Sequence, residues 1–292
     1  MERNEARGAL LVLLSAGAFS TAGLFTRLIT VDVWTLLLWR GLFGGAFIAA
    51  YVVWRDGAGA ATTVRCIGLP GLVAAACSAL ATICVVNALR LTAVADVLVI
   101  GATAPFLTAA IAWAWSGVRE RGRTLLASAV ALLGVAVTVL PALGSGRLLG
   151  CALALLMTLL MSVMMVVIRQ RRAVCMLPAA ALSAFLCAAL VGPLAQPASV
   201  SGWNLVGLAF FGTFQFGLGL LLLTVGTRLV SATRAALIGT LDTPLAPGLV
   251  WLVLGEAPPL MTCLGGAIVL AAVVGDLCLA ATPPRSARLP SG

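Results

Sequence analysis

Asp242 and Arg40 are charges in places where charge is costly. Each lies within an apolar stretch of sequence. A charged side chain at the centre of a membrane helix costs about 2.5–3.5 kcal/mol on insertion scales, so such residues tend to face polar cavities and mark substrate or ion paths. Asp242 is nine positions into the apolar segment 233–255, about 13 Å along a helix and close to the midplane of a bilayer core. Pro244 and Pro247 follow it, and each frees backbone carbonyls around the carboxylate. Asp242 is therefore the leading candidate for proton or substrate-amine coupling, against a structural role as acceptor for Thr240, Thr243 or an unwound turn. Arg40 is seven residues into the second apolar segment, about 10 Å deep. Its guanidinium stays charged at ordinary pH and needs an anion or water. A fork for a substrate carboxylate or phosphate, an ion pair with Asp242 or Asp96, and snorkelling to the interface all remain open.

Other polar groups are candidates of lower rank. Asp96 is three residues into the fourth segment, where Arg90 is the expected partner in a solvated pair at the mouth or a gate. Asn87 and Gln215 are expected to approach a central cavity, because the third and eighth segments correspond in the repeat described below. Trp39 adjoins Arg40. The hydroxyls of Thr21, Thr103, Thr108, Thr213 and Thr240 are expected to bond back to their own turns or glue helices together. Asp276 is expected to snorkel at the end of the last segment.

The elements that position these residues come from a repeat. The stretch Ala88–Ser116, ALRLTAVADVLVIGATAPFLTAAIAWAWS, is echoed by Thr227–Leu254, TRLVSATRAALIGTLDTPLAPGLVWLVL. Superimposing Pro105 on Pro244 pairs Thr92 with Ser231, Ala93 with Ala232, Leu98 with Leu237 and Val99 with Ile238. Paired proline-interrupted apolar segments are the mark of a carrier with its site between repeats, and Pro105, Pro244 and Pro247 are the expected helix breaks. Of the residues, 62% are hydrophobic and 9% charged, with a mean hydropathy of +1.15, which a soluble core of this length does not tolerate. Ten apolar segments follow: 9–30, 33–54, 66–89, 93–116, 124–143, 148–168, 174–195, 203–227, 233–255 and 258–280. The expected fold is thus an all-α polytopic membrane protein of ten transmembrane helices. Five is odd, so two five-helix repeats, 1–146 and 147–281, enter the bilayer from opposite sides and form an inverted pair, followed by a cytoplasmic tail 282–292.

Charge sets orientation. All eighteen basic residues are arginine. With the N-terminus inside, fourteen are cytoplasmic and three, Arg27, Arg90 and Arg147, are outside, so the positive-inside rule puts both termini in the cytoplasm. Arginines dispersed over short loops argue against nucleic acid as a partner. The charged, apolar N-terminus resembles a signal peptide, but cleavage would break the five-plus-five pairing, so it is expected to stay. The eight cysteines have no C-x-x-C spacing and are expected to be small hydrophobes. With no histidine, no clustered acids and no phosphate loop, neither a metal nor a cofactor is expected, and a multipass membrane transferase enzyme is disfavoured.

The segments LWRGLFGG (Leu38–Gly45) and ALRLTAVADVLVIGATAP (Ala88–Pro105), with Gly255–Glu256 after the ninth helix, resemble the drug/metabolite transporter superfamily, specifically its EamA-domain type with two five-helix repeats. Glu120, in GVRER, resembles the family's Gly-Glu turn after the fourth helix, although Val118 and Arg119 intervene. The resemblance covers nearly the whole chain and implies a ten-helix secondary transporter of small molecules, often an exporter. The all-arginine basic set and the richness in Ala and Gly suggest a bacterial protein, expected in the inner membrane. The first segment has no acid and the chain has one tyrosine, which disfavours a drug or cation efflux carrier. One deep Arg and one deep Asp suit an amino acid, a related zwitterion or an organic acid. A lipid translocator is the other alternative. Proton coupling, the lipid bilayer as environment, and a monomer or homodimer complete the expectations.

Overall fold

The computed structural model describes residues 2–59, 62, 67–116, 122–142, 146–170, 176–227, 229–230, 238–239 and 241–281. Glu120, Thr240, residues 231–237 of the second repeat and the 282–292 tail lie outside them. The helices are α1 (Glu2–Ser20), α2 (Ala22–Leu28), α3 (Val33–Asp56), α4 (Gly68–Leu91), α5 (Val94–Gly101), α6 (Ala104–Ser116), α7 (Gly122–Val139), α8 (Leu148–Gln170) and α9 (Met176–Val191), followed by α10 (Gly202–Phe210), a π-helical stretch (Phe211–Leu218), α11 (Gly219–Gly226), α12 (Asp242–Leu254) and α13 (Leu260–Ala281). Seven helical stretches are long and apolar enough to cross a membrane, and three shorter apolar helices, Leu126–Val139, Leu245–Leu254 and Leu260–Ala272, bring the crossings among the described residues to ten. Trp203, Leu252 and Trp54 are 85%, 83% and 79% exposed, as expected where lipid solvates the outer face. Trp54 and Trp203 sit at segment ends, where indole rings favour the interface.

The broken segments explain themselves locally. The fourth segment is interrupted at Ala102–Thr103, with Pro105 the second residue of α6, a position where the missing N–H is an orphan anyway. The Thr103 hydroxyl donates to Ile100 O at 2.6 Å, and Ser162 of α8 donates to Ala104 O at 3.2 Å. In the ninth segment, 233–255, α12 begins only at Asp242, ahead of the prolines expected to break it, with Pro244 in its first turn and Pro247 inside it. Pro244 lacks only an N–H that would be unpaired in the first turn anyway, whereas Pro247 withholds the bond that a residue there would give to Thr243 O. The first segment, expected to be continuous, is kinked at Thr21 without any proline; Thr21 N and Oγ1 both donate to Ala18 O, at 3.2 and 2.6 Å.

Packing carries the two-fold relation. Three contacts between crossings join corresponding segments: second with seventh (α3 and α9), fifth with tenth (α7 and α13), fourth with ninth (α5 and α12). The other main contacts come in pairs that the exchange of repeats interconverts: third with sixth (α4 and α8) and first with eighth (α1 and α11), third with seventh (α4 and α9) and second with eighth (α3 and the π-helical stretch), fourth with sixth (α6 and α8) and first with ninth (α1 and α12). Such a pattern maps onto itself when each segment is replaced by the one five places on, which is what a pseudo-two-fold axis requires. The apolar clusters cross the repeat boundary accordingly. One joins Leu36, Leu37 and Val86 to Cys187, Leu208 and Phe211; another joins Leu89, Val94 and Ile100 to Cys151, Ala246 and Val250. Glycines allow close approach where mates meet: a Cβ on Gly134 of α7 would fall 2.8 Å from Gly265 O of α13, and one on Gly41 of α3 2.7 Å from Ala184 O of α9.

Candidate functional site

Arg40 is held by α3 in a cradle that the π-helical stretch supplies. The sequence FGTFQFGL puts small residues between bulky ones. Gly212 lets the backbones meet, since a Cβ there would lie 2.8 Å from Arg40 O, and one on Gly44 would lie 2.9 Å from Gly212 O. The widened turn, a form often found at functional sites, presents Phe211, Gln215 and Phe216 to the guanidinium. Arg40 Nε and Nη2 donate to Gln215 Oε1 at 3.4 and 3.2 Å. Its Cζ lies 5.1 Å from the Phe211 ring centroid and 4.8 Å from that of Phe216, within cation–π range. Arg40 is 8% exposed and Gln215 3%. No carboxylate among the described residues forms an ion pair with Arg40, so neither pairing with Asp242 or Asp96 nor snorkelling describes it. Trp39 stacks on Phe43 at 5.5 Å rather than on Arg40, and its Nε1 is buried without an acceptor among the described residues.

Asp242 faces the kink of the first segment. Ser20 donates to Asp242 Oδ1 at 2.5 Å, and Ser20 is fully buried. Placement at the start of α12 sets the carboxylate against the positive end of that helix. Thr243 is not its hydrogen-bond partner among the described residues, and Thr240 lies outside them.

The mouth differs from expectation. Arg90 does not pair with Asp96: its Nη2 donates to the carbonyls of Ile29 and Val31, at 2.9 and 3.0 Å, and so clamps the linker between the first two segments. Asp96 is not solvated either. At 1% exposure it accepts from Thr92 Oγ1 at 2.7 Å, Thr262 Oγ1 at 2.6 Å and Arg147 Nη1 at 3.3 Å. The reason is register: the start of α8 brings Arg147 over the first turn of α5, while Arg90 points across to the linker. Beside this hub, Arg27 pairs with Glu256 at 3.1 Å and donates to Thr92 O at 3.0 Å. Arg27, Arg90, Arg147 and Glu256 share an open cavity of about 310 Å³. On the same linker Asp32 caps α3, accepting from Thr35 N at 2.8 Å. Partial burial pushes its carboxyl up, but hydrogen bonds from Thr35 and the backbone N–H of Trp34 outweigh this and hold it below the ordinary value.

Asn87 donates to Ile83 O in its own helix at 2.8 Å and is not brought to Arg40, Gln215 or Asp242. Thr21, Thr103 and Thr213 likewise bond back to their own turns. The structure thus brings Arg40 together with Gln215 and leaves Asp242, Asp96 and Asn87 in separate settings. Sequence reasoning missed Ser20, Arg147, Glu256 and Thr262. The hydroxyl-rich run Ser20–Thr21 between small residues was a signal for the first, whereas Arg147 entered only the topology count and Glu256 only the family resemblance.

A ten-crossing bundle with a two-fold contact pattern, broken helices and a buried cation between repeats defines a membrane transport protein. The EamA-like transporter family matches residues 6–140 and again 148–275. The chain belongs to that family, within the drug/metabolite transporter superfamily with two repeats. A solved crystal structure is similar over 94% of this chain and 96% of its own, with a TM-score of 0.64 and 23% sequence identity; the likeness is one of fold. No curated protein matches the chain.

Proposed function

We propose that this transporter is a secondary active exporter of a small polar metabolite with an anionic group, an amino acid, related zwitterion or organic acid, across the bacterial inner membrane. The observation that carries the reading is Arg40, a buried guanidinium with an amide and two rings around it but no counter-anion among the described residues. A buried charge without its counter-charge is costly, and a fork-shaped donor suits a carboxylate that arrives as cargo. The buried Trp39 Nε1, one residue away and without an acceptor among the described residues, adds a donor. Asp242, in the half-buried break of the ninth segment, provides the second charge, as a proton carrier or amine partner. The Asp96 hub and the Arg27–Glu256 pair join the repeats at the outer mouth and act as its gate. In this reading the termini are cytoplasmic, the repeats divide at 146/147, the chain works as a monomer or homodimer without cofactor or nucleic acid, and it performs no enzymatic step. The cation at the centre favours this over drug or cation efflux.

The test compares all small metabolites in medium and cytosol of cells making wild type, Arg40→Gln, Asp242→Asn or no carrier. A solute bearing a carboxylate or phosphate accumulates outside only with wild type, while both variants reach the membrane. Identical profiles for wild type and empty vector, or unimpaired export by Arg40→Gln, overturn the proposal.

A further inference from the structure

Ser20 has one hydroxyl proton and two acceptors in range. Its Oγ lies 2.7 Å from Ala16 O, one turn back in α1, and 2.5 Å from Asp242 Oδ1 across the helix interface. A hydroxyl donates once but accepts as well, so the two contacts cannot both be donations. We infer that Ser20 is the positioning residue for proton exchange at Asp242, rotating its hydroxyl between two bonding patterns that match the two states of the carboxyl. The inference rests on the proposed coupling role of Asp242.

With Asp242 ionised, Ser20 donates to Oδ1, a charge-assisted bond that ties α1 to α12. When Asp242 takes up one proton from the aqueous path, its charge goes from minus one to zero and it becomes the donor. The new O–H then points at Ser20 Oγ, and the Ser20 proton turns to Ala16 O. Ser20 keeps its own proton throughout, and no other group changes charge. Full burial of Ser20 keeps water from replacing either acceptor, so the hydroxyl follows the carboxyl. Ser20 is also the last residue of α1, before the kink at Thr21. Just beyond the kink, Gly23 of α2 fits so closely that a Cβ there would meet Val94 of α5 at 2.7 Å and Val250 of α12 at 3.4 Å. The reversal of the bond between α1 and α12, with the gain of one inside α1, therefore occurs at the joint on which α2 turns.

Other ionisable groups do not take this role among the described residues. The elements packed on α12 are α1, α2 and α5. Glu5 and Arg7 of α1 lie roughly 20 Å along the helix from Ser20, with Glu2 and Arg3 further along the chain. Arg27 of α2 is paired with Glu256, and Asp96 of α5 with Arg147.

The experiment is pH-difference infrared spectroscopy of the full chain in detergent, following the C=O stretch of a protonated carboxyl, with Asp242→Asn to assign the band. It needs no knowledge of the substrate. In wild type, a band absent from Asp242→Asn appears as pH falls. In Ser20→Ala it shifts to higher frequency, since the protonated carboxyl has lost its acceptor, and the proton concentration at half-titration changes about tenfold; Ser20→Thr restores both. An Asp242-dependent band that titrates identically in wild type and Ser20→Ala overturns the role of Ser20 and leaves coupling at Asp242 standing. If no Asp242-dependent band appears over the pH range in which the protein stays folded, the coupling reading itself fails.

Discussion

Replacing Gln215 with leucine strips Arg40 of the hydrogen-bond partner it has among the described residues and leaves the charge in place. Hydrogen bonds to charged groups contribute about 1.5–3 kcal/mol, and the two here are long, 3.2 and 3.4 Å, so the loss is expected at the low end, about 1.5–2 kcal/mol. The Phe211 and Phe216 faces remain to hold the guanidinium. Arg40→Leu does the converse: it removes the charge but strands an amide that is 3% exposed, again about 1–3 kcal/mol. The double variant leaves neither an unpaired charge nor an unpaired amide, so it should be no less stable than either single variant, with a coupling energy of at least about 1.5–2 kcal/mol. Equilibrium unfolding in mixed micelles of all four proteins measures this cycle, and export measures function beside it. The expected result is a double variant that is well folded and transport-dead. Additive destabilisation, or a stable Arg40→Leu protein that still exports, refutes the reasoning that a buried cation is kept here for its cargo rather than for the fold.

Three other outcomes are expected. Asp96→Leu removes the acceptor of Thr92, Thr262 and Arg147 at once and should cost about 2–3 kcal/mol in the same unfolding assay, discounted for the half-exposed arginine, with Asp96→Asn retaining part of this. Gly212→Ala forces a Cβ against Arg40 O and should destabilise by about 1–3 kcal/mol, whereas Gly192→Ala, with open space around it, should stay within about 0.5 kcal/mol. Because the native Asp32 carboxyl sits below its ordinary value, its stabilisation of α3 is complete above about pH 4 and is lost as pH falls through the native titration. Asp32→Ala should cost about 0.5–2 kcal/mol at neutral pH and less in acid; a cost independent of pH counts against the cap.

The crossings were legible in the sequence because lipid imposes a simple rule on them: an apolar run of sufficient length must be helical. The repeat was legible because Pro105 and Pro244 have the same local effect in both halves. The positions of the breaks were partly legible. Proline marks a break but does not say on which side of it an ionisable residue falls, so Asp242 was placed inside a helix and proves to begin one. The kink at Thr21 has no proline to announce it, only hydroxyls that bond backwards. The π-helical stretch was hidden for a similar reason: glycines at 212 and 217 fit a plain helix equally well until α3 lies against them. Partners of charges were the least legible. Arg90 and Asp96 are six residues apart in sequence, yet a helix end and a turn aim them at different neighbours, and the true partner of Asp96 comes from the other repeat.

The breaks in segments one, four and nine divide each of them into two halves, and the halves toward the mouth, α2, α5 and α12, pack on one another. They join roughly 10–20 Å in from that end. A carrier built this way has its hinges inside its crossings. The outer third of three segments can swing as one block while the long second, third, sixth and seventh crossings stand still. Opening toward one side then needs no rocking of one whole repeat against the other: Leu36, Leu37, Val86, Cys187, Leu208 and Phe211 lie on elements outside the swinging block. The core that has to repack is the one where Val94, Ile100, Ala246 and Val250 of that block meet Leu89 and Cys151.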